Sequence, residues 1–146
     1  MATGSILVFD EAKAKMLDGD WAASDLFHLA IFESARAPAV GDAAPVYSAT
    51  NEVTAAGTYT AGGISIGALS ALVTEAGGVM TFDSLESDPT WAQDASNTTT
   101  AYWGIIYNFT DAGKDAVAFV ELGGPVDMAA GALTVAWPAG GIFTIT

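Results

Sequence analysis

His28 is the one imidazole in this chain, and its cationic side chains are Lys13, Lys15, Arg36 and Lys114. There is no cysteine to serve as a thiolate nucleophile or soft metal ligand. Catalysis near neutral pH usually draws on His, Cys, Lys or Arg beside carboxylates, because those groups can be tuned to titrate there. His28 lies in the apolar run Leu26–Phe32, sharing a strand face with Leu26, Ala30 and Phe32. No adjacent residue marks it as a base or a ligand, so it reads as a core or edge histidine. A serine nucleophile has little to work with, because one histidine leaves little from which to build a triad. The glycine pairs lack the G-x-G-x-x-G or Gly-Lys-Ser/Thr setting of a phosphate cradle and read as turns. Two acidic groups, Asp83/Glu86/Asp88 and Asp18/Asp20/Asp25, could offer oxygens to Ca²⁺. Neither has the alternating ligands, central glycine and closing glutamate of an EF-hand loop, and both read as solvated loops. A carboxylate-only hydrolase would need two acids about 5–10 Å apart in a cleft. The reading is a non-enzymatic protein with no cofactor and no metal.

What remains is material for packing. Of 146 residues, 51% are hydrophobic, against 4 Lys+Arg and 17 Asp+Glu, for a net charge of -13. Mean hydropathy is +0.40. Such a charge disfavours nucleic acid, whose phosphates need clustered Lys and Arg, and equally disfavours anionic membranes. The start, Met1 to Phe9, has no basic segment, and no run of 18 apolar residues occurs, so neither a targeting peptide nor a membrane helix is expected. The length suits one domain, residues 1–146, made in a cytoplasm. An apolar chain with no membrane segment has two outlets, a generous core or an interface with other chains.

The elements follow from local pattern. Asp10 is placed to cap a short helix through Leu17, ended by Gly19 and packed through Met16 and Leu17. Strands are expected at Leu26–Phe32, Ile64–Val73, Val79–Phe82, Thr98–Phe109 and Ala116–Leu122. Ala68–Ala76 also admits a helix. Ala132–Trp137 and Ile142–Thr146 are expected to pair as a closing hairpin across Pro138–Gly141. Residues Pro38 to Gly63 have turn composition and should wrap the surface, anchored by Val46, Tyr47, Val53 and Tyr59. Around Tyr102–Phe109, Trp103, Ile105 and Tyr107 alternate with Gly104, Ile106 and Asn108, so both faces of that strand are apolar and both should be covered. The architecture expected is mainly β: an antiparallel β-sandwich of six to eight strands with one short N-terminal helix. Among the tryptophans Trp21, Trp91, Trp103 and Trp137, burial is favoured, with Trp91, two residues after Pro89, the exception expected on the surface.

In order, Leu17-Asp18-Gly19, Tyr59-Thr-Ala-Gly-Gly63, Phe82-Asp83, Trp91, Tyr102–Tyr107 and Trp137–Thr144 (WPAGGIFT) resemble the landmarks of small tailed-bacteriophage virion proteins. The likeness spans most of the chain and departs from it at Asp20-Trp21-Ala-Ala and near Asp127-Met128. It implies a virion location and a structural role. A compact acidic protein without fibrous repeats suits a capsid decoration or cement protein, with the major capsid protein and its own copies as partners, a trimer favoured. The alternative is a tail, baseplate or fibre component touching a receptor glycan. The expected interface residues are Trp91 and the apolar run Ile6, Leu7, Val8 and Phe9, part of a docking arm of residues 1–9 expected to lie outside strand pairing.

Overall fold

A computed structural model describes residues 4–84 and 88–146. The fold is mainly β, built from antiparallel sheets with a short helix near the start. The main sheet has five strands in the order β1–β8–β7–β2–β3: β1 (Ile6–Val8), β2 (Leu26–Phe32), β3 (Ile64–Ala68), β7 (Ala101–Asn108) and β8 (Ala116–Val126). A three-stranded sheet, β10–β5–β4, contains β4 (Val73–Ala76), β5 (Val79–Phe82) and β10 (Phe143–Ile145). A ribbon of β6 (Thr90–Trp91) and β9 (Leu133–Thr134) completes the set.

Both faces of the central strands are covered, as their two-sided apolar pattern requires. Strand alternation puts Phe27, Leu29, Ile31, Ile106 and Val120 on one face. There Phe27 meets Trp21 at 5.4 Å and Phe82 of the small sheet at 5.8 Å. Gly104 belongs to the same face: a Cβ there would come within 3.0 Å of Val120 and 3.2 Å of Leu29. The opposite face carries Ala30, Phe32, Trp103, Ile105, Tyr107 and Phe119. Its cover is the irregular segment 38–63, with Tyr47 stacked on Tyr107 at 4.3 Å and edge-on to Phe32 at 6.0 Å. Of the expected anchors, Val53 and Tyr59 are buried and Tyr47 is half-buried, while Val46 stays exposed.

Three local expectations are corrected. The helix α1 (Asp10–Asp18) has Phe9 rather than Asp10 at its N-cap. The Phe9 amide still bonds the Val117 carbonyl as an extension of β1, so strand passes directly into helix and Asp10 becomes the first helical residue, ion-paired to Lys13 at 2.8 Å. Ala12 and Met16 face the core, whereas Leu17 is 80% exposed. Gly19 closes the helix at φ 74° as expected. Second, the Ile64–Val73 run is broken by α2 (Leu69–Leu72). The Leu69 and Ser70 amides, orphaned at a helix start, bond the Asp25 and Ala23 carbonyls. Val73 then begins the hairpin that turns at Gly77-Gly78. Third, the closing hairpin does not form. Pro138–Gly141 instead carries the chain between two sheets: β9 pairs with β6, and β10 pairs with β5, where Phe143 stacks on Phe82 at 4.8 Å.

Candidate interaction surface

The residues singled out for docking divide sharply. Ile6, Leu7 and Val8 pair with Val120, Phe119 and Ala118, so the run is an edge strand rather than a free arm. Alternation then decides each side chain's fate. Ile6 and Val8 are half-buried against the sheet, Leu7 is 45% exposed, and Phe9 is fully buried, 4.9 Å from the Phe119 ring. Phe9 is a core residue and cannot touch a partner.

Trp91 is likewise not on the surface. It is 4% exposed, paired to Leu133 and 5.9 Å from the Tyr59 ring. The proline two residues before it signals a turn, and the Pro89 carbonyl accepts the Val135 amide, which seats Trp91 under the loops. Buried Asn97 pins those loops: its Oδ1 accepts the Thr58 amide at 2.9 Å, and its Nδ2 donates to the Ala92 carbonyl at 3.0 Å and the Met128 carbonyl at 3.3 Å. The Asn97-Thr-Thr stretch gave no hint of this hub, because two of its three partners, Thr58 and Met128, lie more than 30 residues away.

Beside β1 runs an open groove of about 380 Å³ on the face covered by segment 38–63. Leu7 and Pro38–Val40 flank it, Trp103 and Phe119 contribute aromatic surface, and Glu121 supplies its charge. The Trp103 indole nitrogen is buried and has no hydrogen-bond partner among the described residues. A second apolar groove, about 310 Å³, lies on the other side of β1, between α1 and β10, lined by Val8, Leu17, Phe143 and Ile145 with Lys13 above. The open edges of the two sheets therefore meet at one side of the molecule.

The densest polar cluster is structural in its geometry. The Glu52 carboxylate accepts the Tyr47 hydroxyl at 2.6 Å, the Tyr59 hydroxyl at 2.8 Å and the Gly62 amide at 2.6 Å. The Tyr107 hydroxyl donates to the Gly62 carbonyl at 2.9 Å. Burial pushes the Tyr107 phenol up to about 12, helped by the Glu52 charge. Burial also raises Tyr47 and Tyr59, again with Glu52 contributing. His28 stacks flat on Phe109 at 4.0 Å, its Nδ1 3.2 Å from the Gly62 carbonyl, and burial lowers its pKa. Both Glu52 oxygens are filled by donors from the covering segment, so the cluster is a clasp. Asp25 accepts the Ala22 amide at 3.0 Å and the Asn108 side chain at 2.7 Å, both on Oδ2. Among the described residues no group of three or more His, Asp or Glu converges as a cation site, and Glu86 lies outside them. No helix among them is long and apolar enough to cross a membrane.

Comparison with protein-family models, with curated proteins and with solved structures finds no match.

Proposed function

We propose that this chain is a non-enzymatic virion structural protein of a tailed bacteriophage, a capsid decoration or cement protein that binds the major capsid protein on the outer head surface and stabilises the shell. The observation that carries the reading is the β1 edge: a strand side unpaired among the described residues, with Leu7 exposed beside an open groove partly walled by Trp103 and Phe119. An exposed edge is a template for another chain, and an adjacent aromatic groove adds the apolar area that anchors such a contact. The likeness to small virion proteins supplies the biological setting, and the scarcity of titratable machinery fits adhesion. The protein binds neither nucleic acid nor membrane in this reading, and it assembles with its own copies, a trimer favoured. The alternative, a tail, baseplate or fibre component, rests on the same likeness; burial of Trp91 removes that ring from the exposed aromatics through which it would touch a receptor glycan.

Truncation of residues 1–9 is the wrong test, because it removes an edge strand and the core residue Phe9. Leu7→Lys places a charge at the exposed position of β1 and leaves Phe9 in place. Immunogold labelling of intact particles should put wild-type protein over the head, and Leu7→Lys should abolish its co-sedimentation with heads lacking it while leaving its far-ultraviolet dichroism unchanged. Labelling confined to tails, or undiminished head binding by a folded Leu7→Lys, would overturn the assignment.

A further inference from the structure

Between α1, the loop that follows it and the three-stranded sheet lies an open pocket of about 290 Å³. Two thioethers line it, Met16 from the last turn of α1 and Met80 from β5, with Trp21, Leu69 and Val73 beside them. Both methionines are half-buried, whereas Met128 is fully buried. Among the described residues no carboxylate lines the pocket, and its one charged group, Lys15, is held by Asp115 at 2.9 Å. The two side chains sit where the apolar cover is joined. Ala12 and Met16 are the side chains of α1 that face the core, and so short a helix persists only through such packing. Strand alternation puts Met80 on the same side of β5 as Phe82, which packs on Phe27.

We propose that Met16 and Met80 are a site of oxidative modification by peroxide, and that their sulfoxides loosen the apolar cover of the main sheet. A sulfur lone pair attacks one peroxide oxygen and the O–O bond breaks. The other oxygen leaves as water, taking the proton from the oxygen now bound to sulfur. Sulfur loses two electrons and peroxide gains them, so no further reactant is needed. Hydrogen peroxide is small and uncharged, so the net charge of -13 does not hold it off. With no cysteine in the chain, no thiol competes for it. The product is a polar side chain in a pocket walled by Trp21, Leu69 and Val73, while the Lys15 ammonium is already committed to Asp115. Packing that depends on a flexible apolar thioether is thereby weakened at the helix and at the small sheet together.

This inference depends on the folded chain alone and on no partner. The test treats the purified full chain with dilute hydrogen peroxide and maps the product by mass spectrometry of its peptides. Met16 and Met80 should each gain one oxygen first. Met128, which peroxide reaches only when its loops open, should lag by roughly tenfold or more. Met1 lies outside the described residues and is mapped separately. The oxidised protein should show a lower urea midpoint and faster hydrogen exchange in α1 and β5. The double variant Met16→Leu/Met80→Leu keeps volume and apolarity at both positions, and should hold its midpoint through the same treatment. Met128 keeping pace with the other two, or both sulfoxides complete with the midpoint unmoved, overturns the proposal. So does an equal loss of stability in the treated double variant, since the damage would then lie elsewhere.

Discussion

The two faces of the five-stranded sheet are covered by opposite means. One is closed by α1 and the small sheet, regular elements that satisfy their own backbone and contribute apolar surface: Trp21, Phe82 and Phe143 pack in sequence above Phe27. The other is closed by residues 38–63, which include almost no regular structure. An irregular cover must find partners for each buried amide and carbonyl. It does so on neighbouring elements, with Val53 to Ile31 of β2, Pro45 to Ala116 of β8, Tyr47 to Lys114 just before β8 and Val40 to Asp10 of α1, and through the side chain of Glu52. It also holds Ala44 and Asn51 at positive φ, a conformation that costs non-glycine residues free energy and persists only where the surroundings impose it. The first cover is held by apolar packing, the second by a polar clasp over a few stacked rings.

The contrast is broken most severely from the apolar side. Phe27→Ala empties a fully buried site between Trp21 and Phe82, and should cost about 3–5 kcal/mol, read as a lower urea midpoint with unchanged slope. Loss below 1 kcal/mol would mean that the small sheet packs less tightly than its ring contacts imply. Glu52→Ala attacks the other cover. It leaves the Gly62 amide and two tyrosine hydroxyls short of an acceptor, and should cost about 1–3 kcal/mol, with Glu52→Gln recovering part through its remaining oxygen. The discriminating readout is hydrogen exchange. Amides of 44–63 should exchange faster in Glu52→Ala while those of β7 and β8 keep their protection. Uniform acceleration would show instead that the cover and the sheet open together.

How much of this was legible depends on whether the cause was local. β2 was readable to the residue, because its run is bounded by turn signals and filled with strand formers. So were the Gly77-Gly78 hairpin, the two-sided burial of β7 and the extent of the irregular cover. What failed involved long-range pairing. Nothing near Ile6–Phe9 announces Val117–Val120 as its partner, and nothing near Phe143 announces Phe82 instead of Leu133. Trp91 misled for the same reason: a neighbouring proline describes the backbone, whereas burial is decided by loops that arrive from Tyr59 and Asn97. Of the expected interface residues, Leu7 keeps an exposed side chain, while Phe9 and Trp91 belong to the core. Glu52 passed unnoticed because its spacing to Tyr47 and Tyr59 matches no chemical motif.

Alkali offers the mildest way to separate the two covers. The apolar side contributes no phenol, whereas Tyr47, Tyr59 and Tyr107 all belong to the clasp or the rings beneath it. Their pKa values are raised from the usual 10.0, that of Tyr107 to about 12, chiefly because burial disfavours the phenolate and secondly because Glu52 adds negative charge. A raised folded-state pKa means that the native protein holds these protons more tightly than the unfolded chain. The resulting stability is complete below pH about 10, where both states are protonated, and is lost as pH rises from there through about 12 and above. Near-ultraviolet absorbance should therefore show one early tyrosine, the half-buried Tyr102, which lies outside the clasp and is itself raised by its hydrogen bond to Glu121, followed by a delayed cooperative step of the other three. Hydrogen exchange in the same range should accelerate first in residues 44–63, and Glu52→Gln should bring the cooperative step only slightly lower, because burial rather than the Glu52 charge is the larger cause. If the four phenols titrate together near their ordinary value, the covering segment does not shield them and the clasp is open in solution.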